Sequence, residues 1–213
     1  MPGQCARWHG DGAGIINMNE LPTLETSRLT LRPYRDADIA ELVALIGARE
    51  VAATTLRVPH PYTEQDARQF LAAIDASQVR MAVTLRTDGR LIGGVGLNIE
   101  QQHQHAELGY WLGTPYWGKG YATEAAREVL RYGFESRRLH RIFALHFKNN
   151  PASGRILRKL GMRHEGCQRE HIRKCDQFID SELYGILRLG MGGSRGGSRV
   201  KCQMRWRCRS QSI

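Results

Sequence analysis

The sequence predicts a mixed α/β fold built on one central sheet, in the order β-α-α-β-β-β-α-β-α-β-β. Three observations predict it. Stretches with an apolar residue at every second position alternate with stretches whose apolar residues recur at three- and four-residue spacing. Three strands follow one another before the long glycine-rich loop, which a regular doubly wound parallel sheet would not allow. The chain has 213 residues, 41% apolar and 24% charged, ordinary values for one soluble domain with tails.

The elements follow in order. Arg28–Tyr34 reads as a short strand. Over 36–48, Ile39, Leu42, Val43 and Ile46 form one apolar stripe, a helix with Asp36 as its expected cap. Pro59-His60-Pro61 is a loop. Thr63 is the N-cap of a second helix carrying Ala67, Phe70, Leu71 and Ile74. Val79, Met81, Val83 and Leu85 alternate with more polar residues, a strand with one buried face. Thr87-Asp88-Gly89-Arg90 is a hairpin turn. Leu91–Ile99 and His105–Leu112 are the next two strands. Beyond the loop, Ala122, Ala125, Ala126, Val129 and Leu130 fall at helical spacing. Arg141–Phe147 is a short β-rich run. Asn150 caps a helix with Pro151 at its first position, and Gly161 stops it. Strands over Arg163–Ile172 and Gln177–Arg188 finish the body.

The ends differ from the middle. Residues 1–17 are Gly-rich and aperiodic, and translation is expected to begin naturally at Met18. Residues 1–23 read as an N-terminal extension, 24–189 as the domain, and 190–213 as a basic Gly/Arg/Ser tail, both ends expected to be disordered. The tail from 191 holds six Lys/Arg and no acid, and Arg7 and Asp11 cancel. Of the formal +10, only +4 belongs to residues 18–190. Nucleic acid is therefore a partner only through the tail, if at all. Five cysteines without a C-x-x-C pair read as free thiols in a reducing compartment. No run of about 18 apolar residues is present and the N-terminus lacks a secretory apolar region, so the expected location is the cytoplasm, away from membranes.

The stretch Gly113–Gly120, GTPYWGKG, matches the triphosphate loop G-x-x-x-x-G-K-[ST] at all but its last position. There Gly120 replaces the hydroxyl that would hold Mg²⁺, and Pro115 has no N–H to donate. The strand that follows ends in His146 where an Asp would be needed. The triphosphate reading fails on mechanism. A loop whose Gly118 and Gly120 let the backbone approach closely, with Lys119 adding charge at a helix start, suits a diphosphate held without a metal. Coenzyme A is such a ligand.

WGKGYATEA after GYWL resembles the acyl-CoA loop of the Gcn5-related N-acetyltransferase (GNAT) superfamily, whose wider pattern is [QR]-x-x-G-x-[GA]; here Pro115 stands at the first position. LETSRLTLRPYRDADIAELV, AELGYWL, NNPASGRILRKLGM and DSELYGILR resemble, in order, segments of its ribosomal-protein-alanine acetyltransferase (RimJ/RimL-like) branch. Together they cover roughly 24–189. The resemblance implies a mostly antiparallel, splayed sheet flanked by helices. It also implies acetyl-CoA as co-substrate without a metal, and direct transfer to a primary amine in a ternary complex. The implied acceptor is a protein N-terminal amine. A small-molecule amine (polyamine, amino acid or antibiotic) is the alternative within the class, and a catalytically silent acyl-CoA-binding domain the alternative outside it. Monomer and homodimer both fit.

The same resemblance names residues. Glu107 is the candidate base, against the plain alternative of a solvent-facing strand carboxylate. Ser153 is the candidate acid, hydrogen-bonding the departing sulfur, against a first-turn helix serine. It replaces a Tyr frequent elsewhere in the superfamily, at whose position Leu157 stands. The cofactor-binding set is Leu112, Trp117, Gly118, Lys119, Gly120, Tyr121, Ala122, Asn150 and Ser153, with a backbone N–H near Leu112 polarising the acyl carbonyl. Asn150 is both cap and candidate pantetheine contact. Arg155 and Lys159 are within plausible reach of the adenosine phosphates. His60 and Tyr62 fall in a connection beside the acceptor site, and acceptor choice is expected from loops around 50–63 and 173–177. His103 and His105 lack a Cys or carboxylate to complete a metal set.

Overall fold

A computed structural model describes residues 21–188 except Arg57, Ala76 and Cys175. The expected extension lies almost wholly, and the basic tail wholly, outside the described residues. The strands are β1 (Leu24–Glu25), β2 (Leu29–Pro33), β3 (Gln78–Leu85), β4 (Leu91–Glu100), β5 (His105–Leu112), β6 (Arg141–Phe147), β7 (Arg163–Lys174) and β8 (Gln177–Leu187). The helices are α1 (Ile39–Ile46), α2 (Arg49–Thr54), α3 (Glu64–Ala72), α4 (Tyr121–Glu135) and α5 (Pro151–Lys159). The strands form one sheet in the order β1-β2-β3-β4-β5-β6-β8-β7. Every neighbouring pair is antiparallel except β5–β6. The expected order is met, with the two-residue β1 and the six-residue α2 added to it.

The sheet separates two apolar clusters. Val79, Met81 and Val83 of β3 pack in the larger one with Ala125, Ala126, Val129 and Leu130 of α4 and Leu157 of α5. Ala82 of β3 and Leu91 of β4 face the other way, with Ile39 and Leu42 of α1 and Ala67 of α3. The alternation read in β3 thus marks its α4/α5 face, while α1 and α3 bury the second face as well.

Local chemistry sets the boundaries. Thr63 caps α3, accepting from the Asp66 N–H, while the Asp66 carboxylate accepts from the Thr63 N–H. The α1 segment corrects the expected cap. A 3₁₀ turn, Asp36–Asp38, with Arg35 as its N-cap, precedes the helix, and Asp38, at the N-cap position of α1, makes no side-chain cap bond to that helix. Asp38 is buried; its carboxylate accepts from the Arg35 N–H at 2.8 Å and is gripped by both Nη atoms of Arg32. Burial alone would raise this carboxyl, but those hydrogen bonds hold it below its ordinary value.

Gly94 in β4 shows why this strand tolerates a glycine. A Cβ there would lie 2.1 Å from the Tyr34 hydroxyl and 2.5 Å from Trp111 Nε1, both part of the packing under α1. Gly94→Ala must displace two bulky rings and is expected to lower stability by about 1–3 kcal/mol. Urea denaturation should show it as a lower midpoint with an unchanged slope; an unchanged midpoint would contradict this packing.

Candidate active site

The site begins where the sheet comes apart. β5 and β6 are in register only through His105–Arg141, Ala106–Ile142 and Glu107–Phe143. Beyond Glu107, β5 continues to Leu112 beside β4 alone. The Gly113 N–H donates to the Ile92 carbonyl at 2.9 Å, on the β4 side. Successive residues of a strand point their backbone groups to opposite edges, so the Leu112 N–H and carbonyl face the gap left by β6. Trp117 folds back and donates its Nε1–H to the Leu112 carbonyl at 2.7 Å, with its ring partly exposed. The Leu112 side chain itself is buried.

Across this opening the loop turns into α4. Gly118 (φ 75°) and Gly120 (φ 83°) take left-handed conformations that other residues adopt only with strain. Gly120 is the N-cap of α4 and no side chain caps the helix. The first backbone donors of α4, at Tyr121 and Ala122, therefore have no partner within the helix. Lys119 is exposed, Tyr121 half-buried and Ala122 buried. Fifteen residues of aligned peptide dipoles favour an anion there.

A carboxylate from inside α4 anchors the loop. Glu124 Oε1 accepts from Thr26 Oγ1 at 2.6 Å, Ser27 Oγ at 3.0 Å and the Arg28 N–H at 2.9 Å, while Arg28 Nε donates to Oε2 at 2.7 Å. Arg28 Nη1 also donates to the Lys119 carbonyl at 3.1 Å, and its guanidinium lies over the Tyr121 ring. The start of β2 is thereby tied to the loop. Spacing alone did not reveal this clamp, because its halves lie 96 residues apart.

On the α4/α5 face, Asn150 caps α5 through its side-chain oxygen, which accepts from the Ser153 N–H at 3.3 Å. Ser153 Oγ lies 2.8 Å from the Tyr110 hydroxyl of β5. Burial pushes the Tyr110 phenol up to about 12, against the pull of its bond to Ser153. Leu157 is fully buried one turn further on, in the core rather than in the opening. His146 of β6 is buried behind α5. Its Nδ1 meets the Phe147 carbonyl at 2.8 Å, and its Nε2 has no hydrogen-bond partner and would lie 2.8 Å from a Cβ at residue 154. Arg155 and Lys159 are exposed on the outer side of α5.

Glu107 lies on the opposite face. It shares strand parity with Trp111, which packs under α1 and α3, whereas Tyr110 packs with the α4/α5 cluster. Glu107 borders a shallow cavity of about 210 Å³ with Asn98, Ile99, Glu100, His105 and Phe143. The expected acceptor loops meet on this same face. Lys174 Nζ donates to the carbonyls of Ala52 and Thr55 at the end of α2 and lies 5.6 Å from the Phe147 ring centroid. Tyr62 packs beside α1 and α3, its phenol pushed up to about 12 by burial, and His60 is exposed. The rings of His103 and His105 touch edge to face, and among the described residues no three His, Cys, Asp or Glu side chains gather to hold a metal. Nor is any described helix long and apolar enough to cross a membrane.

An uncapped helix start beside a parted parallel strand pair offers an anion site next to an open strand edge. Residues 28–163 match the acetyltransferase (GNAT) domain family, and the chain belongs to it. It is 33% identical over 172 residues to the uncharacterized N-acetyltransferase YoaA of Bacillus subtilis, covering 78% of this chain and 97% of that one. It superposes on the crystal structure of a GNAT-family acetyltransferase from Bacillus anthracis with a TM-score of 0.72 and 28% identity, covering 79% of this chain and 99% of that one. A shorter match, 34% identical over 79 residues, joins 37% of this chain to 41% of the Escherichia coli [ribosomal protein uS5]-alanine N-acetyltransferase. The protein is an acetyl-CoA-dependent N-acetyltransferase.

The Glu124 clamp carries a pH signature. Burial opposes its ionisation, but the bonds from Thr26, Arg28 and Ser27 outweigh burial and hold the carboxyl below its ordinary 4.5. The unfolded chain then binds this proton more readily than the folded one. The stabilisation is complete above 4.5 and is lost as pH falls through the lower, folded-state value. Glu124→Ala is expected to cost roughly 1–3 kcal/mol at neutral pH. Urea midpoints at neutral and acidic pH should converge for variant and wild type as the pH drops; a gap that persists unchanged would contradict the clamp.

Proposed function

We propose that the chain transfers acetyl directly from acetyl-CoA to a protein N-terminal amine in a ternary complex, with Glu107 as base and Ser153 as the hydrogen-bond donor to the departing sulfur. The observation that carries this reading is the placement of these residues on opposite faces of β5, at the point where β6 leaves it. The thioester approaches from the α4/α5 face. Its diphosphate sits on the backbone donors of Gly118–Ala122 with Lys119, and its pantetheine arm runs along the gap past Asn150, over Trp117 and Tyr121. The Leu112 N–H polarises the acyl carbonyl. The amine approaches from the Glu107 face. Its nitrogen must be neutral to attack; the N–C bond forms as the C–S bond breaks, and Glu107 takes the amine proton directly or through one water.

The protein N-terminus is favoured by the likeness to the uS5-alanine acetyltransferase and by the open, shallow form of the Glu107 cavity, which suits a chain end. A small cationic amine is the second reading, favoured by the two carboxylates, Glu100 and Glu107, that line that cavity. The catalytic unit is 24–189, acting in the cytoplasm as a monomer or homodimer. Any nucleic-acid contact falls to the basic tail.

The test is thiol release from acetyl-CoA in the presence of a peptide with a free N-terminal alanine or of a polyamine. The peptide is expected to be the better acceptor, and a preference for the polyamine would overturn the acceptor assignment. With the active acceptor, Glu107→Gln should lower kcat by on the order of 10²-fold or more, leaving acetyl-CoA affinity unchanged. Wild-type turnover by this variant would remove Glu107 from the mechanism.

A further inference from the structure

Ser153 has a neighbour that the sequence did not point to. The Tyr110 hydroxyl lies 2.8 Å from Ser153 Oγ and 3.4 Å from the Ser153 carbonyl, bridging β5 to the first turn of α5 across the parted strands. The Ser153 N–H is already engaged by Asn150. A serine hydroxyl has one proton to give and two lone pairs. If it spends that proton on Tyr110, none is left for a ligand. If Tyr110 is the donor, the serine proton is free. We infer that Tyr110 is a positioning residue for acetyl transfer: its O–H donates to Ser153 Oγ and turns the serine O–H toward the sulfur of coenzyme A in the opening.

The inference rests on the reading of Ser153 as the donor to sulfur. Three physical points support it. Burial keeps the Tyr110 phenol protonated far above neutral pH, so it is a constant donor. A hydroxyl that receives a hydrogen bond becomes a stronger donor itself, so Ser153 is polarised in the useful direction. The Tyr110 ring packs against the α4/α5 core, which fixes where its hydroxyl ends. When the C–S bond breaks, its electron pair goes to sulfur, and the Ser153 O–H meets that charge. The phenol does not give up its proton, because a thiol of ordinary acidity, about 8.5, cannot hold it against a phenol at about 12. The thiolate is protonated from water as coenzyme A leaves.

The experiment needs no acceptor. Coenzyme A itself is bound to the full chain, and ionisation of its thiol is followed by the ultraviolet absorbance of the thiolate. A hydrogen bond to the charged form favours that form. In the wild type the bound thiol should ionise about one pH unit below that of free coenzyme A. Ser153→Ala should remove most of that difference, Tyr110→Phe a large part of it, and the double variant no more than Ser153→Ala alone. At a pH below ionisation of the thiol, Tyr110→Phe should bind coenzyme A within about twofold of wild type, since the Phe ring keeps the packing. A purely structural role for Tyr110 would change affinity or thermal stability and leave the thiol where it was. A wild-type thiol that titrates like free coenzyme A would overturn the Ser153 reading and this inference with it. A thiol that responds to Ser153→Ala but not to Tyr110→Phe would overturn this inference alone, as would additive effects in the double variant.

Discussion

Two parallel strands that stay together for three residues and then part are the constraint on which the rest of the structure depends. β5 and β6 share register only up to Glu107 and Phe143. A strand that loses its neighbour exposes backbone donors and acceptors along that edge, and these must find partners. In this chain the Trp117 indole takes the Leu112 carbonyl, and the Leu112 N–H is left facing the gap. The other edge of β5 is paired with β4 along its whole length. Glu107 stands at the last paired position on one face of β5, and Tyr110 with Ser153 of α5 lies on the other.

Electrostatics at the loop follow from the same arrangement. The α4 N-terminus has donors but no side-chain cap. Glu124, an acid in the first turn, would ordinarily complement the helix dipole itself. Instead its carboxylate is turned onto Thr26, Ser27 and Arg28. One carboxylate both locks the loop to the edge of the sheet and neutralises Arg28, leaving Lys119 as the exposed charge of the loop. On the opposite face of the sheet, the Lys174 ammonium gathers the last carbonyls of α2 and joins that segment to the end of β7.

Much of this was legible in the chain. The alternation of Val79, Met81 and Val83, the Thr63 cap and the Asn150-Pro151 start are local signals, decided within a few residues, and the structure repeats them. The Gly118-Lys119-Gly120 loop was legible because positive φ at a helix start restricts residue choice. What escaped was short or distant. The six residues of α2 offer too few turns for a period. Asp36 and Asp38 are chemically equal in sequence, and only the partners the fold brings, Arg32 and the Arg35 N–H, set Asp38 apart. Tyr110 reads as one more aromatic in a strand until α5, 43 residues later, brings Ser153 against it. Sequence period reports which face a residue occupies, and not which partner waits there.

The central claim is that the parted strands and the uncapped α4 start together hold acetyl-CoA without a metal. Calorimetric titration of acetyl-CoA into the full chain, in the absence of magnesium, tests it most directly. Saturable binding at one site per chain, unchanged when magnesium is added, is the predicted result. An absence of binding, or binding that appears only with the metal, would contradict it.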